Sequence, residues 1–241
     1  MKEKIYTIPV IDSFKESGEC PFCNMYNTLE ENTIQFVLGP SYMETDVREQ
    51  TNKLGFCNHH LQKMYSNKNR LGLALMLNSH LDKLQKDIDK QITTDNPKSI
   101  KKLFSKKDTS DRELYTYITE KNNDCYICDK IKSTFDKYTD TFFYLWKKDD
   151  SFIDLVKSSN GFCLNHFALL YNEAPKYLND TQLKTFLDLI VSLERESLNR
   201  IKEELDWFIK KNDYRFAEEP WKNSKDSLIR TILKINSLRI D

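Results

Sequence analysis

Two Cys-x2-Cys pairs, each followed at nearly the same distance by Gly-Phe-Cys-x2-His, constrain this chain more than any other feature. Cys20-Pro21-Phe22-Cys23 leads, after 33 residues (24–56), to Cys57 in Gly55-Phe56-Cys57-Asn58-His59-His60. Cys125-Tyr126-Ile127-Cys128 leads, after 34 residues (129–162), to Cys163 in Gly161-Phe162-Cys163-Leu164-Asn165-His166. The register extends beyond the histidines: Tyr65 and Tyr171 each lie five residues further on. All six cysteines and two of the four histidines fall within this pattern. Two matched spacings of this kind point to an internal duplication.

The chemistry of the pattern is metal binding. Zinc takes four tetrahedral ligands, commonly thiolate sulfur and imidazole nitrogen. A Cys-x2-Cys turn presents two sulfurs to one ion, and Cys-x2-His at a helix start presents the other two donors. A helix N-terminus also favours the thiolate, through its dipole and unpaired N–H groups. The duplication argues that each half closes its own site, the first from Cys20, Cys23, Cys57 and His60. The other is Cys125, Cys128, Cys163 and His166. The expectation is two zinc ions per chain, in structural sites with no open position for water or substrate. Each such site would carry a net charge of about −1. Short-loop disulfides would leave the matched histidines unexplained, and a redox Cys-x2-Cys lacks its usual βαβ setting. The rival is an iron–sulfur cluster, whose ligands are more often all cysteine. Only His60 keeps the register of His166, so His59 reads as a neighbour of the ligands or a surface group. His80 lies beside Leu77, Leu81 and Leu84 and reads as a core histidine with its polar atoms satisfied.

Hydrophobic spacing of three and four predicts an all-α fold of duplicated helical halves, each pinned by a Cys3His metal site. Tyr26, Leu29, Phe36 and Val37 mark a helix after the first Cys-x2-Cys. Ile131, Phe135, Tyr138, Phe142, Leu145 and Trp146 mark one after the second. A short helix precedes each Gly-Phe-Cys and a long one follows each histidine. A last amphipathic helix carries Leu228, Ile229, Ile232, Leu233 and Ile235, with Asn223 or Ser224 as its N-cap. Trp221 reads as a plug packing this segment onto the body. The division expected is a first metal-binding repeat (1–92), a polar basic linker (93–110), a second repeat (111–212) and a C-terminal extension (213–241). The five glycines, few for 241 residues, disfavour strand-and-turn folds and phosphate-cradling loops.

Charge and polarity narrow the function classes. With 37 basic and 37 acidic residues the formal net charge is zero, against the basic excess of a nucleic-acid binder. The basic run Lys98, Lys101, Lys102, Lys106 and Lys107 reads as a solvated linker. No stretch approaches the roughly 20 apolar residues of a membrane span, and no signal-peptide pattern opens the chain, which reads as cytoplasmic. No Ser–His–Asp or Cys–His nucleophile can be assembled without using metal ligands, and neither His-Glu-x-x-His nor Gly-x-Ser-x-Gly occurs. The halves differ before the Gly-Phe-Cys, where the first is nearly all polar. Glu44, Asp46, Arg48 and Asn52, with His59, could line a pocket, whereas the i,i+4 spacing of Glu44 and Arg48 fits a simple surface ion pair.

E-C-P-F-C at 19–23, D-V-R-E-Q-T-N at 46–52, G-F-C-N-H-H at 55–60 and D-Y-R-F…E-P-W-K-N-S-K-D-S at 213–227 resemble an uncharacterised family of Firmicute, mostly clostridial, proteins. That family is catalogued as a domain of unknown function, and its members are at times labelled transporter-associated. The resemblance spans nearly the whole chain. It implies a cytosolic protein with the matched Cys and His as family features, adds Asp46, Arg48 and Asn52 to the motif, and names no reaction. Together these readings describe a non-enzymatic zinc protein acting on a protein or small-ligand partner. The alternatives are an iron–sulfur redox or sensor protein, and an enzyme or ligand binder built on the polar residues around Arg48.

Overall fold

A computed structural model describes residues 3–95 and 113–240, and among these the chain forms eleven α-helices and no strand. The first five are α1 (Glu3–Lys15), α2 (Pro21–Leu38), α3 (Thr45–Leu54), α4 (Asn58–Ser66) and α5 (Arg70–Asp95). The next five are α6 (Glu113–Asn123), α7 (Tyr126–Lys148), α8 (Asp150–Ser158), α9 (Leu164–Tyr177) and α10 (Asp180–Lys211). A 3-10 turn at Tyr214–Phe216 leads to α11 (Ser227–Asn236). The all-α reading is correct. One order therefore runs twice: a leading helix, a helix opening on Cys-x2-Cys, a short helix, a helix opening on Cys-x2-His, and a long helix. The leading helices α1 and α6 are not evident in the hydrophobic spacing; α1 contains Pro9, which removes one of its backbone donors. Each matched histidine sits on a short or medium helix of its own, α4 or α9, ahead of the long one.

The chain divides into two compact units, Met1–Thr28 with Thr134–Asp241, and Leu29–Ser133. These units cut across the repeats, with α2 and α7 each contributing to both. Of the linker expected at 93–110, residues 93–95 complete α5 and the remainder, including the basic run, lies outside the described residues.

In the first unit the core is aromatic. Phe22, Phe142, Phe143, Phe152, Phe162 and Phe186 are fully buried and meet mostly edge to face, at 5.3 Å between Phe22 and Phe142 and 5.6 Å between Phe142 and Phe152. From α1, Phe14 reaches this cluster, lying 5.1 Å from Phe152, and Val10 is fully buried. Asn179 starts α10 with a capping box: its side chain accepts from Gln182 N, and the Gln182 side chain accepts from Asn179 N. Trp221 packs as expected, its ring 5.9 Å from Phe208.

The last helix differs from expectation. Its N-cap is Asp226, and Ser224 is buried instead, its hydroxyl donating to Trp221 O. Its buried positions are Ser227 and Lys234, whereas Leu228, Ile229 and Ile235 are exposed. The Glu19 and Asn160 carbonyls and the buried Glu194 carboxylate hold Lys234, so this face of the helix turns inward.

In the second unit, α3, α4 and α6 pack on α5. Ile34, Val37, Val47, Met64, Leu73, Met76, Ile127 and Ile131 are buried there. Phe36, expected on the apolar stripe of α2, is exposed. Glu30 lies on the buried face, four residues from Tyr26 and from Ile34.

Candidate metal centres

Each candidate centre is built where two helices begin. Cys20 immediately precedes α2 and Cys23 lies in its first turn, with Pro21 at the first helical position, where a missing N–H costs nothing. Cys163 is the N-cap of α9, and His166 follows in its first turn. In the other centre Cys125 precedes α7, Cys128 lies in its first turn, and Cys57 caps α4 with His60 one turn on. The two capping cysteines share an extended backbone, φ −73° at Cys57 and −72° at Cys163. Just before them, Gly55 and Gly161 take positive φ, 65° and 81°. This left-handed step turns the chain from the short helix into the ligand turn, and it needs glycine.

The ligand atoms converge in two sets, Cys20–Cys23–Cys163–His166 and Cys57–His60–Cys125–Cys128. Within each set all four lie within 4.8 Å of one another. His166 Nδ1 is 3.5, 3.4 and 3.1 Å from the sulfurs of Cys20, Cys23 and Cys163. His60 Nδ1 is 3.2, 3.3 and 3.4 Å from those of Cys57, Cys125 and Cys128. Sulfur–sulfur separations are 3.5 Å for Cys23–Cys163 and 3.9 Å for Cys57–Cys128. Ideal tetrahedral zinc, with its usual bond lengths, puts sulfurs about 3.8 Å apart and sulfur about 3.6 Å from nitrogen. The donor sets fit a metal ion.

The pairing corrects the expectation that each repeat closes its own site. Cys20 and Cys23 meet Cys163 and His166, and Cys57 and His60 meet Cys125 and Cys128. The two motifs of one repeat fall in different compact units: Cys20 and Cys23 share a unit with Cys163 and His166, and Cys57 and His60 share the other with Cys125 and Cys128. Each motif is therefore completed, within its unit, by a motif of the other repeat.

The surroundings of the two centres differ. At the second, Glu30 is 2 % exposed, and its Oε1 accepts from His60 Nε2 at 3.1 Å and His59 Nε2 at 2.7 Å. The Lys63 ammonium meets Oε2. Burial alone would push this carboxyl up; hydrogen bonds from His60, Lys63 and His59 outweigh it and hold Glu30 at about 2. A carboxylate on the far nitrogen fixes the ring with Nδ1 toward the sulfurs, as in carboxylate–histidine–metal triads. His59 thus works through Glu30. At the first centre the His166 ring packs against Phe22 and Phe135, at 5.7 and 5.4 Å. Ser237, in left-handed conformation at the end of α11, places its hydroxyl 2.9 Å from Cys163 Sγ.

Without a metal, each cluster divides its charge among neighbours. Burial lowers the proton affinity of His60, but hydrogen bonding to Cys125 and Glu30 lifts it to about 10. Cys125 is buried, which raises it; the hydrogen bond from His60 and backbone N–H groups bring it down to about 6. Cys128 rises to about 12, through burial and the charge on Cys125. In the first centre Cys23 is held well up by hydrogen bonding to Cys163 and Cys20, Cys163 well down by hydrogen bonding to Cys20 and Cys23, and His166 is lifted to about 9. For His166 burial again opposes the rise, and bonding to Cys163 and Cys20 produces it.

The polar residues of the first repeat do not meet as one group. Glu44 and Asp46 are exposed. Arg48 Nη2 donates to Ser79 Oγ at 2.7 Å, and Ser79 donates to Asn52 Oδ1 at 2.7 Å, tying α3 to α5. His80 Nδ1 bonds Asn52 O at 2.8 Å, a satisfied packing contact as expected. Residue spacing alone does not reveal Glu30, Lys63, Ser237 and Lys234. The one signal for Glu30 is a carboxylate on an otherwise apolar stripe.

The chain belongs to DUF6062, a family of unknown function, whose model matches residues 1–240. No curated protein and no solved structure matches it. Among the described residues no helix is long and apolar enough to cross a membrane.

Proposed function

We propose that this member of a family of unknown function is a zinc protein whose two Cys3His centres are structural, and that it acts by association rather than catalysis. One observation carries the reading: all six cysteines and two histidines fall into two four-donor sets at separations suited to a single tetrahedral ion. Three thiolates and an imidazole fill the coordination sphere, leaving no position for substrate. An iron–sulfur cluster interposes bridging sulfides and spreads its cysteines, which the Cys57–Cys128 separation of 3.9 Å does not favour. Each ion clamps two helix starts from different repeats, and the matched motifs support descent from a duplicated ancestor. Association is supported by α11, which turns Lys234 inward and leaves Leu228, Ile229 and Ile235 exposed, an apolar face of the kind a partner covers. The pairing of Cys usage with metal suits a reducing, cytoplasmic setting.

Elemental analysis of natively expressed protein tests the reading. Two zinc per chain with no iron is the expected result. Iron with acid-labile sulfide, or fewer than two zinc per chain, overturns it.

A further inference from the structure

The two centres share a donor set but differ in access to solvent. In the first, Cys20 and Cys163 are fully buried and Cys23 is 3 % exposed; Ser237 from the end of α11 lies on the Cys163 sulfur. In the second, Cys128 is exposed and Cys57 is half-buried, while Cys125 and His60 are buried beneath them. The two accessible sulfurs are 3.9 Å apart. Thiolate oxidation follows exposure, and two thiolates this close need little movement to join.

We propose that Cys57 and Cys128 form a peroxide-sensitive modification site, whose oxidation to a disulfide releases the metal of the second centre and spares the first. The inference rests on the zinc reading above. The oxidant is a hydroperoxide. The Cys128 thiolate attacks its distal oxygen; the S–O bond forms as the O–O bond breaks, giving a sulfenic acid and an alkoxide or hydroxide, which takes a proton from solvent to leave as an alcohol or water. The Cys57 thiolate then attacks the Cys128 sulfur, forming S–S and expelling hydroxide, which takes a proton from solvent. Two thiolates lose two electrons in all, and the peroxide O–O bond gains them. The metal keeps only Cys125 and His60, half its donors, and dissociates. Helices α4 and α7 exchange a reversible metal clamp for a covalent one linking the two repeats.

The test uses full-length zinc-loaded protein, titrated with hydrogen peroxide in the presence of a chromophoric zinc chelator. Free thiols are alkylated at each time point and disulfides mapped by peptide mass spectrometry. One zinc per chain should leave at least tenfold faster than the other, in step with a Cys57–Cys128 disulfide, while Cys20, Cys23 and Cys163 stay reduced. In Cys128→His, which keeps a zinc donor and cannot form the bridge, the fast phase should slow at least tenfold; if that variant does not fold, the wild-type disulfide map decides. Equal loss from both centres, a bridge between other cysteines, or an undiminished fast phase in Cys128→His overturns the proposal. A protein that binds fewer than two zinc before peroxide is added fails the earlier reading instead.

Discussion

Glu30 is the residue on which the second centre turns. It is a buried carboxylate held by His60, His59 and Lys63. Replacing it with glutamine keeps the volume but weakens the hold on the His60 ring. Loss of such a partner typically costs 10–100-fold in metal affinity. Glu30→Gln is therefore expected to weaken zinc at the second proposed centre by that factor and leave the other unchanged, read by competition with a chelator. Protonation gives a second prediction at this scale. With His60 at about 10 and Cys128 at about 12 in the metal-free centre, both carry protons at pH 7, whereas Cys125, at about 6, does not. Metal must displace at least two protons, so affinity falls as pH is lowered from 9 to 7. It falls more steeply below about 6, where Cys125 also competes. Calorimetry in buffers of different ionisation enthalpy should count two or more protons released at this centre; a count near zero would contradict it.

Among the elements, the Gly-Phe-Cys turns and the last helix explain how the centres are held. A Cβ on Gly55 would lie 2.6 Å from His80 Nε2, in a backbone conformation that side chains rarely adopt. Gly55→Ala should cost at least about 1–3 kcal/mol of stability and loosen metal at the second centre, measured by denaturant unfolding and metal retention. An unchanged midpoint would show that the turn tolerates another conformation. The two turns are anchored differently. Tyr126 N, inside the second Cys-x2-Cys, donates to Gly55 O at 3.0 Å. The matching position in the first motif is Pro21, which has no N–H to give. There the fully buried Lys234 of α11 bridges Glu19 O at 3.2 Å and Asn160 O at 2.8 Å. Burial lowers the proton affinity of this lysine, with Glu194 the nearest counter-charge, 3.9 Å away. A helix from outside the repeats thus supplies the cross-link that a backbone bond supplies in the other centre, which accounts for the inward turn of its polar face.

For the whole molecule, the consequence is that neither repeat owns a metal centre. Residues 1–110 hold two donors of each set, and residues 111–241 hold the other two. Expressed separately, neither fragment should retain zinc at the affinity of the intact chain. Mixed, they should recover about two zinc per pair together with the helical signal, by elemental analysis and circular dichroism. A first fragment that binds one zinc tightly by itself would mean that Cys20, Cys23, Cys57 and His60 close together after all. Because each donor set joins segments distant in sequence, chelation of the proposed ions is expected to remove tertiary structure from the chain as a whole rather than to fray one end of it.

Much of this was legible in the amino acids. The absence of period-two patterning and the scarcity of glycine pointed to helices, and the matched spacing singled out Cys20, Cys23, Cys57, His60, Cys125, Cys128, Cys163 and His166, which the fold gathers into two clusters. Spacing counts residues, however, and ligation depends on where the fold delivers each motif. Only the tertiary structure decided that Cys23 meets Cys163 rather than Cys57, because the two motifs of one repeat fold into different compact units. It also decided that a glutamate on an apolar stripe orients His60 and that a lysine on an apolar helix faces inward. Both are polar groups whose burial makes sense only beside the partners that satisfy them, and those partners come from other helices.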